Sequence, residues 1–268
     1  MAEKPQSLPP ILAGKEYEAP SEFLPENLLR EARRQKQLPN ARIPEICVLD
    51  PDGDIVRHLR RKGAARISDG WACYHTELHE FDLAGRRLGI IGCAVGAPFA
   101  VLVAEQAIAS GCRILISITS AGRINPLAAP PYFVVIDRAL RDEGTSYHYA
   151  APGEFAIADP GLVERAMSAI ENLGLAVYRG ASWTTDAPFR ETSGAIEAAR
   201  ARGILAVEME AAALYTFAAV RKQPVLCLAH VTNTMGRTAG DFEKGEADGS
   251  ITALRVIAAV AEAVAAKP

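Results

Sequence analysis

"RRLGIIGCAVGAPFAVLVAEQAIASGCRILISITSAG", Arg86 to Gly122, is the stretch that decides the fold. Arg86–Cys93 opens on two arginines and continues as an apolar run of strand length. "AVGAP" makes a tight turn, and Pro98–Gly111 has helical spacing. Pro98 stands where a first-turn proline belongs and Gly111 where a terminating glycine belongs. Arg113–Gly122 is a second apolar strand that ends in a small-residue loop, "TSAG". Strand, helix, strand is a βαβ unit. It implies parallel strands and places the chain among α/β folds.

The same grammar extends outward. Upstream, "EICVLD" (Glu45–Asp50) is a short strand that runs into the turn "DPDGD", followed by the helical "DIVRHLRRKG" with its glycine stop. Downstream, Tyr132–Leu140 and Ala176–Thr185 read as strands, separated by a helix over Asp159–Gly174 with an aspartate cap. "GILAVEMEAAALYTFAAV" (Gly203–Val220) reads as strand then helix, Pro224–Asn233 as a strand, and Asp248–Lys267 as a closing helix. Residues 1–40 differ: they are rich in proline and charge, with one short helical piece at about Pro25–Gln37. They are expected to form an arm, ahead of a single α/β domain over 41–268.

Composition excludes several classes. A chain of 268 residues with a formal net charge of −3 supplies no field to gather nucleic acid or coat an anionic membrane. There is no basic n-region followed by an apolar segment, and no charge-free apolar run of about 18 residues. Cys47, Cys73, Cys93, Cys112 and Cys227 are odd in number and form no C-x-x-C pair, against both a disulfide framework and a zinc site. Buried free thiols and a cytoplasmic location are expected.

In open α/β sheets ligands bind beyond the carboxyl ends of the strands. There the chain offers "DPDGD", "AVGAP", "ITSAG", "RDEGTSYHY", "SWTTDAPFRET", "VEMEA" and "HVTNTMG". The turn at Gly96 opens a helix, so its N–H groups are either an anion seat or plain strand-to-helix geometry. Ser117, Thr119 and Ser120 either meet a phosphate or sugar, or simply line a turn. Glu208 and Glu210 lie inside a run that otherwise reads as core. On an extended segment they share a face, and Glu210 falls near a helix N-terminus, where the dipole favours an acid. Two readings stand: a capping glutamate with a solvated companion, or a carboxylate that accepts from the 2′ and 3′ hydroxyls of a ribose.

These pieces together resemble the nucleoside phosphorylase superfamily. "VEMEAAAL" looks like its signature, preceded in the same order by the "VGAP" turn, the "TSAG" loop and "TTDAPF". "RDEGTSYHYAAPGEFAIAD" (Arg141–Asp159) is similar in spacing to the uridine phosphorylase branch, and Asn233 fits that branch where purine phosphorylases usually carry an aspartate. The resemblance implies a mixed central β-sheet flanked by helices in one domain. It implies cleavage of a ribonucleoside by phosphate to free base and ribose 1-phosphate, with no cofactor beyond the inorganic phosphate co-substrate.

By the same resemblance Glu210 and Asn233 would be catalytic. Met209, Glu208, Ser120, Gly122 and Gly96 would shape the sugar and phosphate pocket, Phe189 and Arg190 the base pocket, and His148 would hold the family's histidine position. Gly53, Arg57, Ser117 and Ser120 are the phosphate-binding candidates. A homo-oligomer, dimer or hexamer, is implied as well. Two departures stand out: Ser117 replaces an arginine that commonly grips phosphate, and "DPDGDIVR" reorders the N-terminal phosphate loop. Losing one charge-assisted contact to a dianion costs about 2 kcal/mol. A nucleosidase that uses water is therefore the alternative activity, and a nucleoside-binding or storage homologue without turnover the third.

Overall fold

The computed structural model describes residues 8–235 and 240–265. Ten strands form its centre: β1 (Ile46–Asp50), β2 (Ala65–Ile67), β3 (Leu78–Leu83), β4 (Arg86–Gly92), β5 (Ile114–Arg123), β6 (Tyr132–Asp142), β7 (Phe155–Ile157), β8 (Val177–Thr185), β9 (Ala206–Glu208) and β10 (Val225–Asn233). The helices are α1 (Pro25–Lys36), α2 (Asp54–Arg61), α3 (Ala97–Ala109), α4 (Ser146–Tyr149), α5 (Pro160–Glu171), α6 (Ser193–Ala201), α7 (Ala211–Arg221) and α8 (Ser250–Ala265). The sheet is mixed and flanked by helices, as the family resemblance implies. α2 and α5 pack on α8, while α1 and α7 pack on α3.

The βαβ reading holds in a particular form. β4 and β5 are both parallel to β1, which lies between them. β5 then branches. Its other edge pairs in parallel with β10 along Leu115–Gly122, β10 pairs antiparallel with β6, β6 pairs with β8, β8 with β9, and β9 returns antiparallel to Gly122 and Arg123. Five strands thus close on themselves, while β1, β4, β3 and β2 continue as an open wing. Such closure removes free strand edges from half of the sheet.

The core explains why the strands form where they do. β1 and β10 are buried along their whole length, so Ile46–Leu49 and Val225–Ala229 form continuous apolar runs rather than an alternating pattern, and polar residues enter only toward the carboxyl ends. α5 is capped as expected: the Asp159 carboxylate accepts from Leu162 N at 3.0 Å. Arg141 (8% exposed) braces the "RDEGTSYHY" segment by donating to Ser146 Oγ and to the carbonyls of Ala150 and Ala151. α1 lies on the body through Leu29 and Ala32, against Ala72, with Leu38 and Ala109 beside them. Among the described residues no helix is long and apolar enough to cross a membrane. All five cysteines are free, but one expectation is corrected: Cys93 is exposed, because a left-handed turn (φ +62°) carries it out of the end of β4.

Candidate active site

The branch in the sheet creates the site. β1 pairs with residues 114–117 of β5, and β9 joins the chain only at Gly122. Residues 118–121, the heart of "SITSAG", therefore lie in a fork between two diverging strands. The turn after β1 and the N-termini of α3 and α7 converge on this fork.

The two glutamates divide the work there. β9 ends at Glu208, so the pair does not continue as the shared face of one extended strand. Glu208 is the capping acid. Its Oε2 accepts the N–H groups of Glu210 and Ala211, both at 2.7 Å, and its Oε1 accepts from Ser182 Oγ at 2.9 Å and from Thr184 Oγ1. Glu210 sits at the cap position of α7 but makes no capping bond. Its side chain crosses instead to α3, where Oε1 accepts Gly96 N at 2.8 Å. The anion expected at the α3 N-terminus is thus an internal carboxylate. Glu210 is 1% exposed, and its Oε2 has no hydrogen-bond partner among the described residues.

These environments separate the two acids. Burial raises both carboxyls, but four donors offset it at Glu208. Glu210 is pushed up to about 8, by burial first and then by the charge of Glu208, with Asp52 adding to it. Glu210 has one fixed hydrogen bond, from Gly96 N, with the Thr119 hydroxyl as a weaker influence, so its burial is offset less than that of Glu208. A buried carboxyl with one anchored and one open oxygen can bind a hydroxyl and change its protonation state in doing so.

On the other side of the fork stands an acidic turn. Asp50, 2% exposed, holds the turn closed through Gly53 N (3.2 Å) and Val56 N (2.9 Å). Burial, then the charges of Asp52 and Asp54, raise it to about 7. Gly53 has φ +75°, and a Cβ there would meet Cys93 Sγ at 2.5 Å, so only glycine fits. Asp52 reaches across to the fork: its Oδ2 accepts Ser120 N at 2.8 Å and also Ser120 Oγ. Lys244, from the segment after β10, donates to Asp54 Oδ2 at 2.6 Å and lies 3.6 Å from Asp52 Oδ2. Burial alone would lower this ammonium, but the carboxylates of Asp54 and Asp52 outweigh it and keep it charged.

The remaining expected residues fall in three groups. Gly96, Glu208, Glu210, Ser120, Gly53 and Arg57 meet at or beside the fork, with Arg57 bonded to Asp54 and to the Asp52 carbonyl. Gly122 and Asn233 meet at its far end, and Met209 follows Glu208 directly in the chain. A Cβ on Gly122 would meet Met235 Sδ at 2.6 Å and Val207 at 3.1 Å. The Asn233 amide spans from the Ala121 carbonyl (3.4 Å) to Met235 N (3.0 Å). Met209 is half-buried.

Four expected residues lie elsewhere. Ser117 is 1% exposed inside β5, between Leu49 and Cys227, where no entering anion reaches it. Phe189 is 100% exposed on a short 3-10 turn, Pro188–Arg190, and Arg190 is exposed beside it, so neither lines an enclosed base pocket within one chain. His148 is exposed and meets Lys15 of the arm at 2.9 Å, with no contact to the glutamates. Sequence reasoning missed the partners of the glutamates, Ser182 and Thr184, and it missed Lys244. The hydroxyls lie in "SWTT" on an apparent core strand. Lys244 follows β10 in a segment without periodicity, so nothing local marks it.

Comparison with known proteins gives this arrangement a context. A sequence model of the phosphorylase superfamily matches residues 45–265. The chain is 25% identical over 235 residues to a uridine phosphorylase from Thermococcus kodakarensis, an alignment covering 78% of this chain and 84% of that protein. It is 33% identical over 138 residues to a DeoD-type purine nucleoside phosphorylase from Myxococcus xanthus, covering 50% of this chain and just over half (57%) of that protein. The solved structure of a uridine phosphorylase from Vibrio fischeri superposes with a TM-score of 0.69 at 21% identity, covering 82% of this chain and 91% of that one, and so shares the fold. The matched span contains every strand and helix that meets at the fork, and the chain belongs to the phosphorylase superfamily.

Proposed function

We propose that this chain is a nucleoside phosphorylase that cleaves the N-glycosidic bond of a ribonucleoside with inorganic phosphate, giving free base and ribose 1-phosphate. One observation carries the site assignment: Glu210 is a buried carboxyl at the fork of the sheet, anchored on one oxygen by Gly96 N and, among the described residues, without a partner on the other. In this reading Glu210 gives up its proton to solvent as the nucleoside binds, and its carboxylate accepts hydrogen bonds from the ribose hydroxyls and so holds the sugar. The C1′–N bond breaks through an oxocarbenium-like transition state, phosphate attacks C1′, and hydrogen bonds stabilise the charge on the departing base. The reaction requires no cofactor.

A pyrimidine preference rests on the "RDEG" segment, on Asn233, and on the likeness to the uridine phosphorylase from Thermococcus kodakarensis. Residues 41–268 would carry the chemistry and residues 1–40 act as an arm. A cytoplasmic homo-oligomer fits the free thiols and the exposed Val95 and Phe189, which a neighbouring subunit would cover. The second reading, hydrolysis by water, is favoured by one feature: the Asp52 carboxylate already holds the Ser120 donors.

The test is a panel of purine and pyrimidine nucleosides incubated with and without phosphate, scored for ribose 1-phosphate against free ribose. Phosphate-dependent release of ribose 1-phosphate is expected. Turnover that yields free ribose at the same rate without phosphate selects hydrolysis. Nucleoside binding without any turnover selects the storage homologue.

A further inference from the structure

Three donors converge beside Thr119: the Ser120 N–H, the Ser120 hydroxyl and the Lys244 ammonium. A backbone amide, a hydroxyl and a cation on one point make an anion seat. The occupant is the chain's own Asp52, whose Oδ2 accepts both Ser120 donors and lies 3.6 Å from Lys244 Nζ. What remains is a cavity of about 20 Å³ lined by Asp52, Thr119, Ser120, His230 and Lys244 among others. That space admits roughly one water and no tetrahedral oxyanion. A dianion arriving beside the Asp52 carboxylate would meet its oxygens at contact distance.

The turn's backbone does not depend on the Asp52 side chain. Asp50, not Asp52, holds the turn's backbone, through Gly53 N and Val56 N. The Asp52 side chain is 33% exposed, whereas the neighbouring Asp54 is held by both Arg57 and Lys244. Across the fork, Glu210 presents its Oε2, which has no hydrogen-bond partner among the described residues, and feels the charge of Asp52, so the seat lies beside the proposed sugar site.

We propose that Asp52 is an internal latch on the oxyanion seat: phosphate binds by displacing the Asp52 carboxylate from Ser120 and pairs with Lys244, the cation that replaces the arginine missing at position 117. The proposal rests on the phosphorolytic reading for the identity of the anion. Because a self-bound carboxylate taxes the apparent affinity by the fraction of time it occupies the seat, removing it tightens phosphate binding.

The experiment is calorimetric titration of inorganic phosphate into the nucleoside-free protein, for the unmodified chain and for Asp52→Ala, Asp52→Asn and Lys244→Met. The phosphate Kd is expected to fall about tenfold in Asp52→Ala, and less but in the same direction in Asp52→Asn, which keeps a neutral acceptor for Ser120 N. It is expected to rise about tenfold in Lys244→Met. If Asp52→Ala does not fold, Asp52→Asn carries the test. Unchanged or weaker phosphate binding in the folded Asp52 variants overturns the latch, as does no phosphate binding in any variant. Unchanged binding in Lys244→Met overturns the role of the lysine. Phosphate-independent turnover with tighter phosphate binding in the Asp52 variants removes the phosphorolytic reading and keeps the latch. Phosphate-dependent turnover with unchanged binding in those variants does the reverse.

Discussion

Glu208 and Glu210 are two residues apart, carry the same functional group and are equally buried, yet their donors set them apart. Four donors make Glu208 a structural anion, and Glu208→Ala would leave the Ser182 and Thr184 hydroxyls and two helix N–H groups without it. A loss of about 2–4 kcal/mol is expected by denaturant titration. Glu210 behaves oppositely. Its carboxyl is raised to about 8 from an ordinary value of 4.5, so the folded state binds the proton more tightly than the unfolded state. Between those two values the folded chain carries more protons, and stability falls as pH rises, by up to about 1.4 kcal/mol per unit. Glu210→Gln keeps an acceptor for Gly96 N and cannot ionise. Its Tm is therefore expected above that of the unmodified chain at pH 8, with the gap closing toward pH 4.5, while turnover drops about a hundredfold or more. Equal Tm differences at the two pH values would refute this account of Glu210. The "VEMEA" sequence announces that acids are present; which acid caps and which stays open depends on Ser182, Thr184 and Gly96, far away in the chain.

At the scale of elements, α7 is the piece on which the site is mounted. Its N-terminus is pinned by Glu208, and its middle by Tyr215, whose hydroxyl donates to the Ile136 carbonyl of β6 at 2.7 Å and accepts Cys227 N of β10 at 2.9 Å. Tyr215→Phe leaves both strand groups without this partner in a site that is 1% exposed. It is expected to cost about 1–3 kcal/mol by denaturant titration, with the secondary structure intact by circular dichroism. Long apolar strands and capped helices are legible in the sequence because burial on both faces and cap chemistry are written locally. β3 is not. "LHEFDL" places His79 and Glu80 in the core, and Glu80 is tolerated there only because Ser68, Arg66 and Arg87 come to it from other segments. β2, β7, β9 and α4, of three or four residues each, are too short to show any period.

For the whole molecule, the arm and the fork are the features that extend beyond any one element. α1 is attached through a small contact set centred on Leu29, 2% exposed, with Arg33 donating to the Gly70 carbonyl at 3.0 Å. Leu29→Ala is expected to cost about 2–3 kcal/mol and to open the segment before Leu38 to limited proteolysis while the body stays resistant. An unchanged cleavage pattern would show that other contacts hold the arm. The fork itself follows from β5 changing its neighbour from β1 to β9 between Ser117 and Gly122. The sequence by itself determined the α/β class, the parallel βαβ unit, most of the longer elements and the small set of loops from which a site could be drawn. Periodicity, caps and turn residues act over a few positions, and so they can be read in order. Tertiary structure alone decided that Ser117 is walled in, that Phe189 and His148 face outward, and that Asp52, Ser120 and Lys244 meet. The reason is physical: a charge is stabilised by whatever lies within a few ångströms of it, and in this chain those neighbours are 68 to 190 residues apart.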